Sequence, residues 1–338
     1  MDNFFTRYKI EDRSYVALIK REIHQKAVAA KFHEVDTGRI DIIVSELTSN
    51  LIKHAGQGEL LYRFTPNDDA PVFEILSIDR GPGMVDATNS LRDGVSTTKT
   101  IGGGLGAIQR LSTVSQVFSL RQWGTMLYSK IGPEAKIPEV PRGGFDLDIK
   151  TLCVPKPHED VCGDGFRVIQ THSCIKILFG DGLGHGPHAK EAMDVAANSF
   201  CECPDNDPVE IIRSMHDRVR KTRGLVATIA IMDKKSNTWN FVGVGNINTR
   251  LYTGIEYRNY MSYNGTIGLN IPKSMKATTV QVERNQHLVM CSDGITTRWN
   301  MNQYASIFKY DTTLLAAAIF KDFSRGNDDS SILIAKVI

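Results

Sequence analysis

Glu46 and Asn50 stand four residues apart in a stretch whose apolar residues recur with helical spacing, so their side chains share one helix face, a turn apart. A carboxylate beside an amide oxygen suits a general base next to a Mg²⁺ ligand. An isolated pair of this kind is equally an ordinary solvated helix face. Asp79-Arg80-Gly81-Pro82-Gly83 follows the apolar run Val72–Ile78. An Asp leaving a buried strand can accept a hydrogen bond from an exocyclic amine, and glycines let a planar ring approach the backbone, although the same residues also make turns. Gly102-Gly103-Gly104-Leu105-Gly106 leads into a third helical segment, where free backbone N–H groups can hold phosphate oxygens. No Lys-Ser/Thr pair follows, so this is not a Walker loop.

A second set is acidic. Asp164 lies in Cys162-Gly163-Asp164-Gly165-Phe166, Asp181 in Phe179-Gly180-Asp181-Gly182-Leu183-Gly184-His185-Gly186, Asp293 in Cys291-Ser292-Asp293-Gly294, and Asp328-Asp329 in Gly326-Asn327-Asp328-Asp329-Ser330. Carboxylates are hard oxygen ligands for Mg²⁺ or Mn²⁺, and a carbonyl freed by Gly completes such a site. Two ions about 4 Å apart can hold a phosphate and a water together. One Asp-Gly pair is usually a turn; three such segments after apolar strands point to metal.

The elements that must hold these residues fall into two groups. Residues 4–10 read as a strand and Ser14–Phe32 as a helix. A second helix opens at Asp36 or Thr37 as N-cap and runs to His54, stopped by Gly56 and Gly58. Strands follow at Glu59–Thr65 and Val72–Ile78, then a helix at Leu105–Thr113 and strands at Gln116–Arg121 and Thr125–Ile131. This order describes an α+β sandwich with helices on one face. Residues 132–142 hold three prolines and read as a linker.

Beyond it strands dominate: Phe145–Val154, Phe166–Thr171, Ile175–Phe179, Val226–Met232, Trp239–Val244, Thr249–Tyr252, Thr278–Val282, His287–Cys291 and Ser331–Val337. Helices are expected at His188–Cys201, Pro208–Thr222, Met301–Phe308 and Thr312–Phe323. That pattern suggests a two-sheet sandwich with helices outside. The chain's 338 residues suit two domains, at 1–131 and 143–338.

Composition excludes other classes. The 40 basic residues against 38 acidic ones split as 16 to 15 before residue 132 and 24 to 23 after it, with no surplus for nucleic acid or an anionic membrane. No apolar run reaches 18 residues and the N-terminus has no signal pattern, so a cytoplasmic protein without a membrane span is expected. The six cysteines form neither a paired framework nor a zinc pattern, and Cys201-x-Cys203 is a pair without partners. His185 reads as a loop residue, since hard cation sites prefer oxygen. The basic run Arg218, Arg220, Lys221 and Arg223 reads as a solvated face.

In this order and spacing, the first three segments resemble the GHKL nucleotide-binding superfamily. Within it they resemble the RsbT-like serine kinases of bacterial partner-switching systems, over about residues 8–131 and including Asp93–Thr97 and Gly124-Thr125. The resemblance implies a Bergerat-type α/β sandwich and ATP with Mg²⁺. It assigns Glu46 as general base and Asn50 as metal ligand, with Asp79 on the adenine amine and Thr125 supporting it. Gly102 and Gly104 contact phosphates, and Gly81, Gly83, Leu105 and Gly106 complete the nucleotide boxes. Lys99 is a candidate phosphate contact, which a solvated loop lysine explains equally well.

The later segments resemble the metal-dependent PPM protein phosphatases of the SpoIIE/RsbX branch, over roughly 143–338, with a PPM-type β-sandwich flanked by helices. That likeness implies two Mn²⁺ or Mg²⁺ ions held by Asp164, Asp181, the Gly182 carbonyl, Asp293 and Asp328, with Asp329 the alternative to Asp328. Together the resemblances imply a protein serine/threonine kinase and phosphatase acting on a STAS-domain partner. The alternative is a phosphatase whose N-terminal half only senses ATP or sequesters a partner. No oligomeric state follows from the sequence.

Overall fold

The computed structural model describes residues 4–66, 70–84, 104–133, 144–254 and 256–338. Most of the expected linker lies outside these residues. The chain divides into two compact units, Met1–Lys136 with Tyr304–Lys321, and Ile137–Gln303 with Asp322–Ile338.

The first unit comprises β1 (Thr6–Ile10), α1 (Val16–Ala29), α2 (Glu34–Asn50), β2 (Gly58–Thr65), β3 (Val72–Asp79), α3 (Gly104–Leu111), β4 (Val114–Leu120) and β5 (Gly124–Ile131). Its strands form one antiparallel sheet in the order β1-β2-β3-β5-β4. Ile19, Ile23 and Ala27 of α1 recur at i, i+4 and i+8, and Ile40, Ile43, Val44 and Leu47 form the matching stripe of α2. Both stripes close on Leu60, Tyr62, Phe73 and Ile75 of the sheet.

α2 begins earlier than expected. His33 is the N-cap, its Nδ1 accepting from Val35 N–H at 3.3 Å. Asp36 and Thr37 sit inside the first turn, where the Asp36 carboxylate favours the positive end of the helix dipole. After Asn50 the helix widens into a π-turn, Leu51–Ala55, and stops at Gly56, whose φ of +77° suits glycine.

The second unit comprises β6 (Leu147–Val154), β7 (Asp164–Gln170), β8 (Cys174–Gly182), α4 (Pro187–Glu202), α5 (Pro208–Arg218), β9 (Leu225–Asp233), β10 (Thr238–Val244), β11 (Asn248–Thr253), β12 (Glu256–Tyr260), β13 (Thr278–Gln281), β14 (His287–Cys291) and β15 (Ser330–Val337). Two sheets form, ordered β13-β10-β9-β8-β7 and β12-β11-β14-β15-β6. The period of two is plain in β8. Ile175, Ile177 and Phe179 enter the core between the sheets, while Cys174 and Leu178 pack under α4 and α5. The strand β12 was not expected. It is polar and largely exposed on a sheet edge, where no apolar alternation is required.

One segment departs from the expected 143–338 domain. Residues 304–321, including most of α6 (Thr312–Phe323), group with the first unit. Tyr310 meets Phe118 edge-on at 5.7 Å, Lys321 Nζ lies 3.6 Å from the Trp123 ring centre, and the Lys321 carbonyl accepts from Arg80. Thr312 through Lys321 are all buried. A helix that is apolar all round is buried on all sides, and its sequence alone does not say against what.

Candidate functional site

In the first unit, Gly104 joins the helix motif to the glycine motif. A Cβ at Gly104 would lie 2.6 Å from Glu46 Oε2 and 3.9 Å from Asn50 Oδ1, so α3 opens directly over the Glu46–Asn50 face of α2. Glu46 and Gly104 are 58 positions apart in the sequence. Asp79 ends β3, and its Oδ1 accepts from Gly81 N–H at 2.8 Å and Thr125 N–H at 3.1 Å. Burial raises the Asp79 pKa, and those two hydrogen bonds with the nearby Lys321 and His54 charges oppose the rise. The π-turn brings Ala55 beneath this loop, where a Cβ at Gly81 would lie 3.2 Å from it.

Gly83 and Gly124 adopt positive φ and press on the Leu120 and Asp79 backbones, leaving no room for a side chain. Thr125 Oγ1 meets Ser119 Oγ at 3.0 Å, and Ser119 Oγ accepts from Met84 N–H at 2.7 Å. Glu46, Asn50, Gly104 and α3's first turn thus form one cluster, and Asp79, Gly81 and Thr125 a second at the end of β3. Leu105 turns into the apolar core and Gly106 is buried within α3. Lys99, Gly102 and the 93–97 segment lie outside the described residues.

The acidic set gathers at one end of the second unit. Asp164 and Asp181 are direct partners in the antiparallel β7–β8 register, which puts both side chains on one face. Burial, and then the neighbouring Asp329 and Asp293 charges, push the Asp164 pKa up. Burial and the charges of Asp164, Asp293, Asp328 and Asp329 do the same to Asp181. Ser292 Oγ donates to Asp164 Oδ2 at 2.7 Å, but Asp164 Oδ1 is buried without a partner. Asn246 Nδ2 donates to Asp293 Oδ2 at 3.1 Å.

Among the described residues, no three His, Cys, Asp or Glu side chains form a group that could hold a metal ion as they stand. The carboxylates share one electrostatic field without closing on one point. Directly opposed like charges are costly, and an orphaned buried carboxylate oxygen needs a positive partner. An all-oxygen acidic donor set therefore fits Mg²⁺ or Mn²⁺.

Over residues 11–128 the chain matches the family described as "Histidine kinase-like ATPase domain". It is 32% identical over 94 residues to the serine/threonine-protein kinase RsbT of Bacillus subtilis (strain 168), covering 28% of this chain and 71% of that one. The chain belongs to the RsbT family. Residues 171–338 match the family described as "Stage II sporulation protein E (SpoIIE)", so an RsbT-type domain is followed by a SpoIIE-type PPM phosphatase domain. The fold is α+β, a GHKL-like domain and a PPM-like β-sandwich.

A solved structure described as "The bacterial stressosome: a modular system that has been adapted to control secondary messenger signaling" is 25% identical. It covers 56% of this chain and 98% of its own, with a TM-score of 0.52. A crystal structure of RsbX in complex with magnesium is 19% identical over 57% of this chain and 100% of its own, at a TM-score of 0.49.

Within the SpoIIE-type domain the two adjacent aspartates differ. Asp329 is buried, its Oδ1 accepting from Lys156 N–H at 2.7 Å and its Oδ2 from Gly163 N–H at 2.8 Å. It thereby ties the loop before Asp164 to the start of β15. Asp328 is less buried and accepts the Asp329 N–H at 3.0 Å. Gly294 packs so tightly on the Asp329 carbonyl that no side chain fits there. Gly182 ends β8 against the Ala189 backbone and donates its N–H to Gly163 O at 3.1 Å.

Ser292 and Asn246 were not identified from sequence. A serine beside Asp293 and an asparagine in a Gly turn carry no signal until folding aims them at a carboxylate. His185 Nδ1 pairs with Glu159 at 2.6 Å, a loop contact, and none of the six cysteines forms a disulfide. Among the described residues no helix is long and apolar enough to cross a membrane.

Proposed function

We propose that the chain is a bifunctional regulator whose two domains add and remove phosphate on a serine or threonine of a STAS-type partner protein. The observation that carries this reading is the pairing, within one chain, of a Glu46–Asn50–Gly104 cluster with an end-of-sandwich cluster of Asp164, Asp181, Asp293 and Asp328. RsbT is named a serine/threonine kinase, and its likeness here supports transfer to a protein hydroxyl.

In the kinase reaction Asp79 holds the adenine amine, Asn50 would hold Mg²⁺, and Glu46 takes the proton of the acceptor hydroxyl. The free N–H groups at the start of α3 lie beside Glu46, where a γ-phosphate is oriented by positioning and charge. In the phosphatase reaction Asp164, Asp181, Asp293, Asp328 and the Gly182 carbonyl would hold two divalent ions. Such ions, when bound, supply charge neutralisation and acidify water. Ser292 keeps Asp164 oriented, Asn246 does so for Asp293, and Asp329 braces the Gly163–Asp164 turn, which leaves Asp328 as the ligand of the adjacent pair.

The test is to incubate the protein with γ-labelled ATP, Mg²⁺ and candidate STAS proteins, then add Mn²⁺. Label should appear on the partner and then leave it. Label that never appears, with ATP bound normally, would make the N-terminal domain an ATP-sensing module. Label placed on the partner by another kinase and never released would remove the phosphatase assignment.

A further inference from the structure

Arg223 lies in the short segment between the 3₁₀ turn Val219–Lys221 and β9. Its Nη1 stands 3.0 Å from the position a Cβ would take on Gly184, three residues beyond Asp181. The Arg223 backbone is clamped on both sides. Thr222 Oγ1 donates to Val219 O at 2.8 Å and accepts from Gly224 N–H at 3.1 Å, and Gly224 O accepts Leu183 N–H from the acidic loop at 3.0 Å. Gly184 has a φ of +88° and no side chain, which opens the loop to the guanidinium.

Several basic side chains around Arg223 are engaged. Arg218 pairs with Glu202 at 3.1 Å, Arg220 with Asp217 at 2.9 Å, Lys190 with Asp194 at 2.7 Å, and His185 with Glu159. Arg223 is exposed and, among the described residues, makes no hydrogen bond or ion pair. All four residues of the basic run are exposed, as expected of a solvated face. Within it Arg218 and Arg220 form surface ion pairs, and the Arg223 guanidinium lies beside Gly184 of the Asp181 loop.

Charge gives this position a use. Asp164, Asp181, Asp293, Asp328 and the adjacent Asp329 would more than balance two divalent cations, so a phosphomonoester dianion arriving there needs a further positive partner. A guanidinium matches phosphate with two parallel N–H bonds and stays charged at all relevant pH values. We infer that Arg223 is a substrate-binding residue of the phosphatase domain, holding non-bridging oxygens of the phosphoserine or phosphothreonine. This inference rests on the phosphatase reading above and adds to it the residue that recognises the phosphate.

The test compares the full-length protein with Arg223→Ala and Arg223→Lys in Mg²⁺ buffer, with two readouts. Calorimetric titration with inorganic phosphate should show binding weakened about tenfold to a hundredfold in Arg223→Ala, with Arg223→Lys between. Hydrolysis of a phosphoserine peptide should show kcat/KM lowered by a similar factor, largely through KM, with an unchanged melting temperature because the side chain is exposed. Phosphate affinity and kcat/KM equal to wild type in Arg223→Ala would overturn the assignment. If the wild-type chain hydrolyses nothing, the phosphatase reading fails, and the phosphate titration still decides whether Arg223 binds phosphate.

Discussion

The two sites treat their carboxylates in opposite ways. Asp79 is half-buried and relieved by neutral donors, two backbone N–H groups on Oδ1, with Lys321 and His54 adding positive charge. Asp164 is buried and Asp181 half-buried among their own kind, with a serine donating to one oxygen of Asp164 and no hydrogen-bond partner on the other. The first arrangement is complete within the protein and presents a fixed acceptor, as recognition of a base requires. The second concentrates like charge, which the proposed divalent cations would offset. Electrostatics thus separate a carboxylate satisfied by hydrogen bonds from a cluster of mutually repelling carboxylates.

The sharpest way to break this contrast is Asp181→Asn. Phosphatase activity should fall on the order of a thousandfold or more, as expected for losing several kcal/mol of metal-dependent stabilisation. Removal of one like charge should leave the metal-free protein melting no lower than wild type. A lower melting temperature without metal would mean that the carboxylate is structural.

In the other domain, Glu46→Gln should cut phosphate transfer to the partner about a hundredfold or more, with ATP affinity measured by calorimetry unchanged. Transfer at the wild-type rate would discard Glu46 as the base.

A third test separates the domains by pH. His287 is buried opposite Lys336 at the start of β14, and burial followed by the Lys336 charge lowers its pKa to about 4. The folded state therefore resists a proton that the unfolded chain accepts near pH 6.5. Its stabilising contribution is complete above that pH and is lost as pH falls toward 4, by about 2 kcal/mol at pH 5. His287→Gln should flatten this acid limb for the second unit's unfolding and leave the first unit's unchanged. An acid limb of the same depth in His287→Gln would rule the residue out.

The smallest effect is expected from Gly104→Ala. Its Cβ would sit 2.6 Å from Glu46 Oε2, and ATP binding should weaken about tenfold through a local shift, without loss of fold. Unaltered affinity would separate Gly104 from the nucleotide site.

Much of this was legible in the sequence. β14 and α6 fall on the residues that apolar periodicity marks, and β3 and β8 extend the expected strands as far as Asp79 and Gly182. The strand β12 escaped because an exposed polar edge needs no alternation, and the true N-cap of α2 escaped because histidine is an uncommon cap beside the nearby Asp36 and Thr37. The distinction between Asp328 and Asp329 was invisible for a different reason. Both are Asp after a Gly-Asn turn, and only the Lys156 and Gly163 N–H groups tell them apart.

Local chemistry therefore settled which segments are helices and strands and which of them carry carboxylates, glycines and an amide, because those properties depend on residues a few positions apart. Tertiary structure alone decided that Gly104 meets Glu46, that Ser292 holds Asp164, that residues 304–321 join the first unit and that Arg223 faces the Asp181 loop. Each of those contacts joins residues tens to hundreds of positions apart. They are selected by how whole sheets and helices bury their apolar faces, and no nearest-neighbour pattern encodes them.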